Sequence, residues 1–195
     1  MTKNNSHRRR TSSIHGWVIQ VSLWTFIFTL IFAFVLRILL QGVESIFFSF
    51  ILLIFVIFVG IFFDTIGIAV AAASEAPFHA KASKKVFGAK KGIYLVRYAE
   101  KVSNFCCDVV GDISGVVSGV IGAVIVINLA LTHFQISEIY LSIVLTAAVA
   151  SLTVGGKAVG KYIAIYKSTE IVMFVAQLMA TFERIFKREN KVKPN

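Results

Sequence analysis

An all-α integral membrane protein is the fold class that this sequence predicts: four transmembrane helices, a cytoplasmic juxtamembrane helical hairpin and a C-terminal interfacial helix. Three observations predict it. Of 195 residues, 57% are hydrophobic and only 15% charged, which is too apolar for a soluble domain of this length. Four runs, about Trp17–Leu40, Ile46–Ala73, Val109–Leu131 and Ile139–Gly155, approach the roughly 20 apolar residues that a bilayer core requires. The cations cluster before the first run, between the second and third, and after the fourth, so an even number of crossings puts 19 of the 20 Lys and Arg residues on one side. The positive-inside rule makes that side the cytoplasm, with both termini in it and the cell membrane as the location.

Taken in order, residues 1–15 are polar and basic and read as a disordered tail carrying Lys3, Arg8, Arg9 and Arg10. Residues 16–41 form the first span. Its apolar run is too long for a signal peptide's h-region and no small-x-small cleavage site follows, so it is expected to be retained. The second span opens with IFFSFILLIFVIFVGIFF, a phenylalanine-rich surface suited to lipid. From Asp64 onward DTIGIAVAAASEAPFHAKAS is small and alanine-rich, as expected where a helix enters a packed bundle and leaves the membrane.

Residues 75–103 predict a helical hairpin, Ala80–Lys85 and Ile93–Val102, broken around Gly88 and Gly92. Ile93, Val96, Ala99 and Val102 recur at helical spacing, and Pro77 starts or kinks the first helix. After the third and fourth spans, Lys161–Phe186 predicts an interfacial helix. Its apolar core is short for a span, and a fifth crossing would carry the C-terminal cations outside. Residues 187–195 are a charged tail.

The net charge of +10 is assigned to anchoring against anionic headgroups rather than to nucleic acid, because the cations flank apolar spans. Cys106 and Cys107 are adjacent and are expected to be reduced; no zinc-ligand spacing accompanies them. No nucleophile–base pair, HExxH or phosphate-cradling loop occurs, so no enzymatic activity is expected.

The third span carries unusual residues for lipid. Asp108, Asp112, Gly115, Gly119 and Gly122 are spaced four, three, four and three apart, which makes one stripe on a helix, flanked by Gly111, Ser114 and Ser118. Small residues let a second helix approach closely. Carboxylates inside a span usually face a bundle interior or a watery cavity. The stripe therefore predicts a close-packed seam with an ion-handling or polar site at one end. Gly111, Gly115, Gly119 and Gly122 are the expected packing residues, with Gly156 and Gly160 as a second close contact.

The order of features from residue 45 to 186 resembles the transmembrane domain of the CNNM/CorC magnesium-transporter family, in a stand-alone form with an additional first helix. Phe62–Ser74, FFDTIGIAVAAAS, is similar to that family's FF-initiated small-residue region. Asn104–Ser114, NFCCDVVGDIS, is similar to its glycine–asparagine region, with Gly111 on the glycine and Asp112 on the first asparagine. Gly156–Ile171, GKAVGKYIAIYKSTEI, is similar to its GxxxxK region, with Gly156, Lys161, Ile163, Ala164, Glu170 and Ile171 on matching positions. The resemblance implies Mg2+ as the cation, a homodimer in the bilayer, and no nucleic acid or further cofactor.

Three positions depart from the family: Gly67 and Lys157 stand where it has glutamates, and Gly160 where it has proline. Two readings follow. In one, Asp112 is the leading Mg2+ ligand with Ser114, Asp64 and Asp108 in support, as hard oxygen donors. In the other, Asp112 and Lys157 form a structural ion pair in a scaffold that has lost its ion site.

Overall fold

The computed structural model describes residues 19–20, 22–35, 38, 46–132 and 138–189. Among them the chain is helical throughout, with no strand. It divides into two compact units, residues 1–49 and 50–195.

In the first unit, α1 (Ser22–Val35) is an apolar helix. At 1.5 Å per residue it covers about 20 Å, short of a roughly 30 Å hydrocarbon core. The ends of the expected 16–41 span, like the tail at 1–15, lie outside the described residues. Within α1 the Thr29 hydroxyl donates to the Thr25 carbonyl at 2.8 Å, which hides its polarity on an apolar helix.

The second unit holds most of α2 (Ile46–Ala72), then α3 (Ala76–Ser83), α4 (Ala89–Arg97), α5 (Ala99–Asn104), a π-helical stretch Phe105–Val110, α6 (Gly111–Thr132), α7 (Glu138–Tyr166) and α8 (Ser168–Glu189). Among the described residues, three helical stretches are long and apolar enough to cross a membrane: Ile46–Ala72, Ala99–Ala130 and Ile139–Tyr166. Hydropathy locates them because every backbone polar group in lipid must be satisfied within the helix.

Several boundaries differ from the sequence expectation. Pro77 lies in the first turn of α3, where a missing N–H costs nothing, so the helix begins earlier than Ala80. Gly88 ends the hairpin turn with φ 84°, and Lys85 adopts φ 57° beside it. Gly92 instead sits buried inside α4, where a Cβ would collide with the Phe78 ring. The expected helix at Lys161 is split, because 161–166 continue α7, whereas α8 starts at Ser168. With glycine at position 160, α7 keeps its backbone N–H there and runs on unbroken.

At one end of the spans, the core is built from Ile66, Ala69 and Val70 of α2 with Phe78, Ala89, Leu95, Cys106, Ala164, Val172 and Ala176. This gathers α3, α4 and α8 around the end of α2. An exposed ion pair, Lys91 to Glu183 at 2.5 Å, joins α4 to α8. Glu75, just before α3, accepts from Arg97 of α4 at 3.2 Å and pairs with His79 at 3.1 Å. The Arg97 hydrogen bond first, then that of His79, holds the Glu75 carboxyl below its ordinary range.

Along the spans, α2 buries Leu53, Ile57, Gly60, Asp64 and Gly67, spaced four, three, four and three. The buried face of α6 carries Ile113, Ser114, Val117, Ser118, Ile121 and Ile125. These two stripes are the faces along which the helices pack.

Candidate functional site

Glycines set how closely the spans approach. A Cβ on Gly60 would lie 2.8 Å from the Ser114 Cβ, and one on Gly67 would lie 2.5 Å from the Cys107 Sγ. Alanine at either position would force α2 away from the α5–α6 rod. Around the helix, a Cβ on Gly156 would strike Ile61, and one on Gly160 would strike the Thr65 hydroxyl. So α2 packs against α6 on one side and, at Gly156 and Gly160, against α7 on another.

Asp64 lies where these contacts meet. It is only 5% exposed, and its Oδ2 has no hydrogen-bond partner. Its Oδ1 is 3.9 Å from the point that a Cβ would occupy on Gly111, while the Lys157 Nζ is 3.5 Å and the Cys106 carbonyl oxygen 3.6 Å from the same point. The missing side chain of Gly111 is the space into which carboxylate, ammonium and carbonyl converge.

The π-helical stretch shapes this point. The Gly111 N–H donates to the Cys106 carbonyl, five residues back, instead of four. Such π-bulges occur frequently at functional sites, because the wider turn redirects carbonyls and side chains. The Cys107 thiol donates to the Asp64 main-chain carbonyl at 3.6 Å and lies 3.9 Å from the Ser103 hydroxyl, tying the stretch to α2. Ser114 donates to the Val110 carbonyl at 2.8 Å, which leaves its lone pairs free.

The expected sites are corrected here in three respects. Asp108 of the π-helical stretch and Asp112 of α6 are exposed and do not join the buried Asp64 and Ser114. Asp112 and Lys157 do not form an ion pair. Consecutive helix residues point about 100° apart, so Gly111 faces Lys157 and Asp112 turns away. Finally, a Cβ on Gly115, Gly119 or Gly122 would meet nothing within 4 Å, whereas Gly111 is buried beside Asp64 and Lys157. The close-packed series is the flanking one, Gly111, Ser114 and Ser118. Gly60 and Gly67 belonged to no expected packing set, although their spacing about Asp64 carried the signal.

Chemically, the junction is a dehydrated carboxylate beside an ammonium and a main-chain carbonyl. A cation has oxygen donors there, but among the described residues no group of three His, Cys, Asp or Glu side chains gathers to hold a metal. Comparison of the chain with protein-family models, with curated proteins and with solved structures finds no match.

Proposed function

We propose that this chain is a multi-pass membrane protein that handles a cation at Asp64, with Lys157 as a tethered positive group that fills the site when the ion is absent. The observation that carries this reading is the unpartnered Oδ2 of a carboxylate 5% exposed on a membrane-length helix. Isolated carboxylates in low dielectric are costly unless a positive charge or a proton compensates them. At an effective dielectric of about 20, an ammonium about 5 Å from a divalent ion repels it by about 7 kcal/mol. Lys157 and a bound Mg2+ are therefore mutually exclusive, and ion entry requires the ammonium to leave.

Mg2+ is the proposed cargo, from the resemblance to the CNNM/CorC membrane domain, and the role is binding or transport without catalysis. Four spans with both termini cytoplasmic complete the proposed topology. Gly115 and Gly119, open in the single chain, suit close approach by a second copy, and a homodimer is proposed on that face.

A second reading is favoured by the position of Lys157 itself. If the ammonium never leaves, Asp64 and Lys157 are a permanent structural pair in a non-transporting scaffold. Melting of the detergent-solubilised full chain in Mg2+, against EDTA, separates the two. The transport reading expects stabilisation of the wild type by Mg2+, abolished in Asp64→Asn and strengthened in Lys157→Gln. The scaffold reading expects no Mg2+ effect in the wild type.

A further inference from the structure

The outer ridge of α4 and α5 joins cations to aromatic rings in a pattern that the ion site does not use. Lys90, Tyr94, Arg97, Tyr98 and Lys101 are all exposed. They recur at steps of three and four, with Tyr98 beside Arg97, on the face opposite the buried Ala89 and Leu95. The helix bends at Tyr98 without losing register: Tyr98 N–H donates to Tyr94 and Val102 N–H to Tyr98, both at 3.1 Å. The Tyr94 and Tyr98 rings stack at 4.7 Å between centroids, and the Lys101 ammonium lies 5.9 Å over the Tyr98 ring. Arg97 is partly neutralised by Glu75. Among the described residues Lys90 and Lys101 make no ion pair, and Glu100 points about 100° away from Lys101.

The same signature recurs at the end of α7. Tyr162 and Tyr166 stack at 4.5 Å, both exposed, between the exposed Lys161 and Lys167. Both ridges lie at ends of membrane-length stretches, since Lys101 falls in the first turn of the Ala99–Ala130 stretch and Tyr166 ends the Ile139–Tyr166 stretch. Tyrosines with an apolar ring and a wet hydroxyl, bracketed by lysines with long stems, are the residues that settle at headgroup depth.

We infer that the Lys90–Lys101 ridge, with its stacked tyrosines, is a binding surface for anionic phospholipid headgroups. The occupant follows from charge complementarity and from continuity with the span: unpaired ammonium groups stand where a helix leaves the hydrocarbon, and lipid phosphates are the anions found there. The surface rests on the membrane reading alone and is independent of whether Asp64 binds an ion.

The test uses the full chain in a zwitterionic detergent with EDTA, so that no divalent ion bridges protein and lipid. Short-chain phosphatidylglycerol, phosphatidylcholine or inorganic phosphate is titrated while the melting temperature is read. Phosphatidylglycerol is expected to stabilise the protein where the other two do not. Replacing Lys90→Gln and Lys101→Gln together should raise the half-saturating phosphatidylglycerol concentration by roughly 25-fold, about five-fold per lysine. The charge-preserving Lys90→Arg, Lys101→Arg variant should titrate like the wild type. Each single Lys→Gln variant supplies the same comparison if the double variant does not fold. Equal stabilisation by phosphatidylcholine, an equal effect of inorganic phosphate, or unchanged titration in the Gln variants would overturn the inference. Asp64→Asn must retain the lipid preference, which separates failure here from failure at the ion site.

Discussion

Asp64 of α2 and Lys157 of α7 both reach toward Gly111, a residue that has no side chain, without closing to ion-pair distance. Oδ1 and Nζ lie 3.9 and 3.5 Å from the position of a Cβ on Gly111, so one glycine of α6 admits two opposite charges from neighbouring helices. Asp64 is the buried one of the two, and a buried carboxylate is costly without a compensating positive group nearby.

The first prediction is energetic coupling between them. Asp64→Ala and Lys157→Ala should each destabilise the detergent-solubilised protein, and the double variant should lose less than the sum, with a coupling of about 1–3 kcal/mol. A denaturation cycle on the four proteins measures it. Additive losses would show that the two groups do not sense each other.

The second concerns the seam. Gly60→Ala drives a Cβ into Ser114 and should cost about 1–3 kcal/mol by overpacking. In the single chain Gly115→Ala meets nothing within 4 Å, so in the monomer it should be neutral or stabilising by up to about 1 kcal/mol, because alanine is the better helix former. Melting temperatures of the two variants should move in opposite directions or leave only Gly60→Ala displaced.

A third prediction uses the open face. Gly115→Leu with Gly119→Leu adds bulk where the single chain has room, so the melting temperature of the monomer should hold. If a second copy packs there, cross-linking yield in detergent should fall several-fold. An unchanged yield would remove that face from consideration as the dimer contact.

The fourth concerns pH. Glu75 has its carboxyl pKa lowered from 4.5, chiefly by the Arg97 hydrogen bond. A lowered folded-state pKa means that its contribution is present above the unfolded value of about 4.5 and is lost as pH falls through the lower folded value. The hairpin between α3 and α4 should therefore open more readily in acid below about pH 4.5, read as faster amide exchange in Ala76–Ser83. Arg97→Gln should reduce the acid dependence, leaving the part that His79 supplies, and high salt should weaken it, since the pair lies at the surface.

The helices themselves were legible in the residues. Long apolar runs, Pro77, Gly88 and the cation clusters located three membrane-length stretches, the hairpin turn and the interfacial candidate, because hydropathy and backbone constraints are local properties. Asp64 was named among the ion ligands, but ranked behind Asp112. Packing buries Asp64 and leaves Asp112 exposed, which the sequence could not foresee because helical period identifies a stripe without saying which way it faces. In water the apolar side of a helix turns inward, which settles the question. In lipid the outside is as apolar as the inside, so no such cue exists.

What the sequence by itself determined is therefore where helices lie along the described chain, and the presence of small and acidic residues within them. Which stripe is buried was decided only by tertiary packing. Gly60 and Gly67 bring α2 against Ser114 and Cys107, and that contact turns Gly111 toward Lys157 and Asp112 outward. The reason is steric: close approach goes to the pair of faces whose missing side chains coincide, and that coincidence belongs to two helices at once.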